Sequence, residues 1–149
     1  MSVDLVRPAV LEDLPAIVSM AVRFGASETF AGGLPVDPEK VGAVAQAAMA
    51  SEDKTVFVGV HGGRVVGMLA LYVYEHPFTT QRVATELVWW VDQDMRGGRL
   101  GLRLLAAAEA WAKDVGADVV QMVAPNDAVA SVYARRGYDL LERAYQRRV

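Results

Sequence analysis

Apolar positions along the chain repeat with two different periods, and each change of period marks a change of element. Val3 to Val6 read as a short strand. Leu11, Leu14, Val18 and Val22 then recur at helical spacing through Arg23, with Pro15 in the first turn, where a missing N–H is tolerated. FGASETFAGGLPVD reads as a loop. Asp37 and Pro38 supply an N-cap and a first-turn proline for a helix to about Ala50. Thr55 to Val60 and Val65 to Tyr74 are rich in β-branched and aromatic residues around the turn His61-Gly62-Gly63-Arg64, which predicts an antiparallel hairpin. Ala84 to Val91 form a further strand.

Leu100, Leu104, Ala108, Trp111 and Val115 lie on one helical stripe that Gly116 ends. Ala117 to Val123 follow as a strand, parallel to the preceding one if the crossover has the usual hand. Pro125-Asn126-Asp127 opens a last helix that stops at Gly137, and Tyr138 to about Arg147 read as a closing strand. The order is mixed α/β: a strand, two helices, three strands including the hairpin, a crossover helix and strand that complete a βαβ unit with the third of them, then a helix and a closing strand.

At 149 residues, 53% hydrophobic and 22% charged, the sequence fits one globular domain over residues 1–149. The absence of cysteine excludes disulfides, thiolate metal sites and a cysteine nucleophile, and agrees with a reducing, cytoplasmic compartment. No run of 18 or more apolar residues and no basic leader is present, so neither export nor membrane insertion is expected. A net charge of −3 gives no general attraction for nucleic acid, and the local cluster of Arg135, Arg136, Arg143, Arg147 and Arg148 reads as a solvated face.

The densest chemistry lies at DMRGGRLG, between a strand and a helix. A helix N-terminus offers unpaired N–H groups and positive dipole, and small residues let an anion approach them. Arg96-Gly97-Gly98-Arg99-Leu100-Gly101 meets that need, yet it has neither Walker spacing nor the G-x-G-x-x-G pattern.

This join resembles the [Q/R]-x-x-G-x-[G/A] motif of the GNAT acyltransferase family, matching at Arg96 and Gly101 and departing at Arg99, where the family has glycine. VRPAVLEDLPAI resembles the family's opening strand and helix, GVHGGRVVGMLAL its central hairpin, and NDAVASVYARRGYDLLE its late helix and the start of the next strand. The resemblance implies a GNAT fold: a mixed, largely antiparallel sheet with a splayed parallel strand pair, flanked by about four helices. It implies acetyl-CoA as co-substrate, no metal, and backbone amides of Arg96, Gly97, Gly98, Arg99, Leu100 and Gly101 around the pyrophosphate. A residue with negative φ suffices at Arg99, whose side chain either adds charge for phosphate or folds over the loop.

By the same resemblance the amide of Val91 meets the acyl carbonyl, Tyr133 protonates the departing thiolate, Glu86 acts as general base and Asn126 contacts the CoA arm. Each has a plainer reading from the residues alone. Asn126 also suits a helix cap and Tyr133 a core position beside Val129. Glu86, which strand alternation places with Ala84, Val88 and Trp90, also suits a carboxylate reaching solvent or Arg82.

The resemblance further implies a small-molecule or peptide amine as acceptor, framed by Gly25 to Val36, by Glu75-His76-Pro77-Phe78 and by the chain end, with Glu28 or Glu75 able to attract a cation. Members of the family that the chain resembles usually have two closing strands, so the short segment after Gly137 implies a closing hairpin that is abbreviated, absent or completed by a second subunit in a homodimer. Two readings follow: an acetyl-CoA dependent N-acetyltransferase, or a CoA-binding or interaction module with the same fold and no turnover.

Overall fold

The structure is a computed structural model, described for residues 4–27, 30 and 33–149. Strands β1 (Asp4–Pro8), β2 (Lys54–His61), β3 (Arg64–Glu75), β4 (Arg82–Val91) and β5 (Val119–Gln121) form one sheet in the order β1-β2-β3-β4-β5. All neighbours are antiparallel except β4 and β5, which are parallel. The anticipated β-hairpin closes through Gly62 and Gly63, both with positive φ, a two-residue turn whose twist matches its strands. Val3, assigned to the first strand from its sequence, lies outside the described residues, as does Glu28.

Helices α1 (Leu14–Gly25) and α2 (Pro38–Met49) cover one face of the sheet, whereas α3 (Leu100–Asp114) and α4 (Asp127–Arg135) accompany the other. Asp37 caps α2, accepting from the amides of Glu39 and Lys40. The phase assigned to α1 needs correction. Ile17, Met20 and Ala21 are its buried residues, while Leu11 (57% exposed) and Val22 turn outward. The cause lies just upstream: Asp13 binds Arg7 at 2.6 Å and the Val10 amide at 2.8 Å, holding Leu11–Asp13 in a separate 3-10 turn. The α-helical count therefore starts at Leu14.

The seat of α3 is set by two glycines. Gly59 and Gly67 pair across β2 and β3, and a Cβ on either would stand 3.0 Å from a side-chain atom of Leu100 or Leu104. Their bare backbone lets the first turns of α3 lie against the sheet. At its other end α3 stops with Gly116 at φ 80, the Ala117 amide donating to the Ala112 carbonyl in a Schellman closure.

Two expected strands differ. The segment assigned as Ala117 to Val123 pairs only over Val119–Gln121, because β4 diverges beyond Thr85. Residues 138–149 join no strand in the sheet, so a closing strand at Tyr138 to Arg147 is not formed within the described chain. Gly137 ends α4, and Tyr138 is drawn to α3 by a 2.9 Å bond from its hydroxyl to Glu109.

Gly67→Ala should destabilise the fold by about 1–3 kcal/mol, since its Cβ also meets the fixed Trp90 carbonyl at 3.3 Å. Gly98→Ala, whose Cβ meets nothing nearer than 3.7 Å, should stay within about 0.5 kcal/mol. Denaturant unfolding of both variants checks this, and equal losses would contradict the tight seat.

Candidate active site

The site begins at an irregularity in β4. Ala70 pairs with Val88 but Leu71 pairs with Glu86, so Leu87 is an extra residue, a β-bulge. A bulge bends its strand and resets the alternation of side chains. Glu86 consequently shares its face with Ala84 and Trp89, toward α3 and α4, while Val88 and Trp90 pack toward α1 and α2. This corrects the grouping of Glu86 with Val88 and Trp90.

The backbone pairing of β4 with β5 ends at Thr85 and Gln121, immediately before the bulge. Beyond it a side chain takes over: Glu86 Oε2 accepts from the Val123 amide at 2.8 Å. The Tyr133 hydroxyl donates to the carbonyl of the same Val123 at 3.1 Å. Glu86 and Tyr133, far apart in sequence, thus bracket one residue in the opening between the two parallel strands. The Arg82 partnership is not formed; Arg82 binds the Val115 carbonyl and Asp53 instead.

Burial pushes the Glu86 carboxyl up to about 7, against a smaller lowering by the Val123 amide. Burial also raises the Tyr133 phenol far above its ordinary value, with the Glu86 charge next in importance and then Tyr138. Tyr133 is buried between Trp89 and Tyr138, at ring-centroid distances of 5.8 and 5.3 Å. Both observed roles of Tyr133, core packing and a polar group at the opening, hold at once.

Val91 ends β4. The Asp92 amide donates to Val66 across β3, so by alternation the amide of Val91 points to the other edge, where β5 has already stopped. The Val91 carbonyl accepts from Arg96 Nε at 2.9 Å, and the Arg96 guanidinium lies 4.5 Å over the Trp90 ring.

A 3-10 turn, Gln93–Met95, leads into the glycine join, and the Arg96 amide is drawn to Gln93 at 3.4 Å. Gly97 takes φ 87, which a side-chain-bearing residue adopts with strain, and a Cβ there would meet only open space. Arg99 is the N-cap of α3 with φ −91, as anticipated for a non-glycine residue at that point, and it supplies no side-chain cap. Its helix begins intrahelical bonding with Arg103 to Arg99, so the amides of Leu100, Gly101 and Leu102 find no acceptor among the described residues. An open, uncapped first turn beside Gly97 and Gly98 fits an anion. The buried side chain of Leu100 is structural, its amide part of that turn.

Asn126 caps α4, accepting from the Val129 amide at 3.0 Å, and it is exposed. His76 accepts from the Phe78 amide within its own turn. Sequence reasoning passed over Trp89, Val123, Glu109 and Tyr138. Only Tyr138, beside the helix-ending glycine, carried a signal. Trp89 has the one buried side-chain nitrogen without a partner among the described residues, its Nε1, and its ring edge stands 3.6 Å from a Cβ built on Gly101.

Among the described residues no group of three or more His, Cys, Asp or Glu side chains is placed to hold a metal ion, and no helix is long and apolar enough to cross a membrane.

Solved structures repeat this fold at low identity. A predicted acetyltransferase from Clostridium acetobutylicum, solved with acetyl-CoA, superposes with a TM-score of 0.81 at 15% identity, over 98% of this chain and 96% of that one. An acetyltransferase from Trypanosoma brucei gives 0.75 at 18%, over 99% and 100%. An aminoglycoside acetyltransferase from an uncultured soil metagenomic sample, in complex with trehalose, gives 0.73 at 19%, over 98% and 95%. The sequence matches none of the curated proteins. Residues 26–138 match the sequence profile described as the Acetyltransferase (GNAT) family, and with the splayed strand pair and the glycine join in place, the chain belongs to that family.

Proposed function

We propose that the chain is a single-domain N-acetyltransferase that moves an acetyl group from acetyl-CoA directly to an amine. The observation that carries this reading is the opening between β4 and β5, with Glu86 and Tyr133 hydrogen-bonded to the two backbone groups of Val123 inside it. The uncapped first turn of α3, Gly97, Gly98 and the exposed Arg99 side chain receive the pyrophosphate, and Asn126 keeps its amide nitrogen for the CoA arm. The aminoglycoside acetyltransferase among the structural neighbours supports a small-molecule amine as acceptor.

The amine must lose a proton to attack. At a lysine-like pKa of about 10.4, roughly one molecule in 2,500 is neutral at pH 7, a penalty of about 4.6 kcal/mol on direct attack. Glu86, pushed up to about 7, is matched to accept that proton near neutral pH. As the amine nitrogen bonds to the thioester carbon, charge grows on the carbonyl oxygen, which the Val91 amide meets. The carbon–sulfur bond then breaks as Tyr133 donates its proton to the departing sulfur, and the phenolate recovers a proton from the acylated nitrogen, leaving a neutral amide and a free thiol. The alternative, a CoA-binding module without turnover, rests on the same two bonds, since they engage both candidate catalytic groups.

Acetyl-CoA at 100 times its Kd should stabilise the protein by about 2.7 kcal/mol. Arg99→Ala should weaken that binding about three- to tenfold and flatten its salt dependence, as read by calorimetry at two ionic strengths. Unchanged affinity would remove Arg99 from the phosphate site.

Glu86→Gln has two separable readouts. A carboxyl raised from 4.5 to about 7 adds stability that is complete below 4.5 and is lost as pH rises through about 7. The variant should therefore gain on the wild type by about 1–3 kcal/mol between pH 5 and pH 8 in thermal unfolding. Its kcat/KM for an alkylamine should fall about 100-fold or more at pH 7 and less above pH 9, followed by free-thiol release. A deficit that is flat with pH would exclude the base role while leaving the stability effect intact.

Tyr133→Phe should lower kcat about 10- to 1,000-fold with the KM for acetyl-CoA nearly unchanged. Steady-state kinetics test this, and a loss confined to KM would make Tyr133 a binding residue only.

A further inference from the structure

Strand β1 leaves the sheet before the edge of β2 is fully covered. The Ala9 amide donates to the Val56 carbonyl at 2.8 Å, but the return bond from the Val56 amide to Ala9 is not made. The cause is Asp13, which binds Arg7 and the Val10 amide and so turns the chain away into the 3-10 turn. The Asp53 carbonyl faces β3, where it accepts from Val73, so alternation points the backbone groups of Lys54 to the same uncovered edge.

Side chains from both faces of the sheet close over this gap and leave a cavity of about 240 Å³. Ala48 and Met49, at the end of α2, wall it on one face, and Phe57 and Trp111 on the other. Thr55 lines it as well. Thr55 is only 9% exposed, and its hydroxyl has no hydrogen-bond partner among the described residues. A buried polar group left unmet in a native fold calls for an explanation, and a ligand supplies one.

Donors outnumber acceptors around this cavity, and no acidic side chain lines it. Besides the Val56 amide and the Thr55 hydroxyl, Lys54 brings an ammonium without an ion pair among the described residues, since the neighbouring Asp53 is taken by Arg82. Ser51 accepts from the Asp53 amide through its oxygen and keeps its hydroxyl proton to donate. The Ala47 and Ala48 carbonyls at the end of α2, which would repel an anion, are already met by the amides of Ala50 and Ser51. Size narrows the ligand further. A cavity of about 150 Å³ admits benzene, so this one holds a single ring with a short acidic arm and is too small for a nucleotide or coenzyme.

We propose that the cavity binds a small aromatic monocarboxylate, its ring among Met49, Phe57 and Trp111 and its carboxylate on the Val56 amide, the Thr55 hydroxyl and the Lys54 ammonium. The strand registers put this site at the opposite end of the sheet from the glycine join, where β4 begins rather than ends. The proposal is independent of the acetyl-transfer reading.

Phenylacetate is the probe, and phenylacetamide, which keeps the ring without the charge, is its control. Titrated into the full isotope-labelled chain, phenylacetate should shift the amide resonances of Lys54 to Phe57 and the Trp111 indole N–H along one saturable curve, about tenfold tighter than phenylacetamide. Saturating acetyl-CoA should leave that Kd unchanged within about twofold. Lys54→Met should weaken phenylacetate about three- to tenfold and phenylacetamide hardly at all, while Thr55→Val should weaken phenylacetate about threefold. The amide spectra report whether each variant keeps the fold. No saturable shift at millimolar probe, shifts centred on the glycine join, loss of binding with acetyl-CoA, equal affinity for the two probes, or a folded variant that binds phenylacetate like the wild type would each overturn the proposal. Stabilisation by acetyl-CoA, read on the same samples, reports separately on the acetyl-transfer reading.

Discussion

One extra residue in β4 governs what the rest of the molecule can do. Leu87 has no place in the ladder between Ala70 and Leu71, and the resulting bulge bends β4 just where its pairing with β5 ends. Two strands that stop pairing leave N–H and C=O groups facing each other across a gap, a costly arrangement away from water. Here the Val123 amide and carbonyl are satisfied by Glu86 and Tyr133, so the opening is held by removable side chains rather than by a ladder. Without the bulge, the strand beyond Glu86 would present Val88 and Trp90 to α3 in place of Trp89 and Val91.

The helices then supply the electrostatics. α3 sits deep on the sheet because Gly59 and Gly67 admit Leu100 and Leu104, and that depth puts its uncapped first turn beside the end of β4. α4 brings Tyr133 over the opening, pinned between Trp89 and Tyr138, with Tyr138 in turn bonded to Glu109 of α3. These packed rings exclude water from the carboxylate, which is the principal reason its proton is held up to about 7. The aliphatic and aromatic packing and the acid–base chemistry are one arrangement.

Much of this was legible in the residues. Helix ends were marked by chemistry that acts within a few positions: Asp37 and Asn126 as caps, Gly116 and Gly137 with positive φ as stops, Gly62-Gly63 as the hairpin turn. The glycine join was visible as a cluster of glycines between a strand and a helix, of which Gly97 has the positive φ that favours glycine. The bulge was not, since VATELVWWV alternates plausibly in either phase and contains no glycine to mark a break. The phase of α1 escaped for a related reason: Asp13 binds Arg7 on another element, a contact no local pattern records. Tyr138 to Arg147 has strand-like composition, but a strand also requires a neighbour, and no neighbour can be read from a single segment.

The proximity of Glu86 and Tyr133 gives the proposed reaction an order. While Glu86 is ionised, its charge adds to the effect of burial in holding the phenol far above its ordinary value, so Tyr133 remains a hydrogen-bond donor and keeps its proton. A proton taken from the amine neutralises Glu86 and removes that contribution. Tyr133 thereby becomes the stronger acid only after the nucleophile has been made, when negative charge is about to collect on sulfur. The base step prepares the acid step through one Coulomb interaction across Val123, and neither group needs to move to pass the signal.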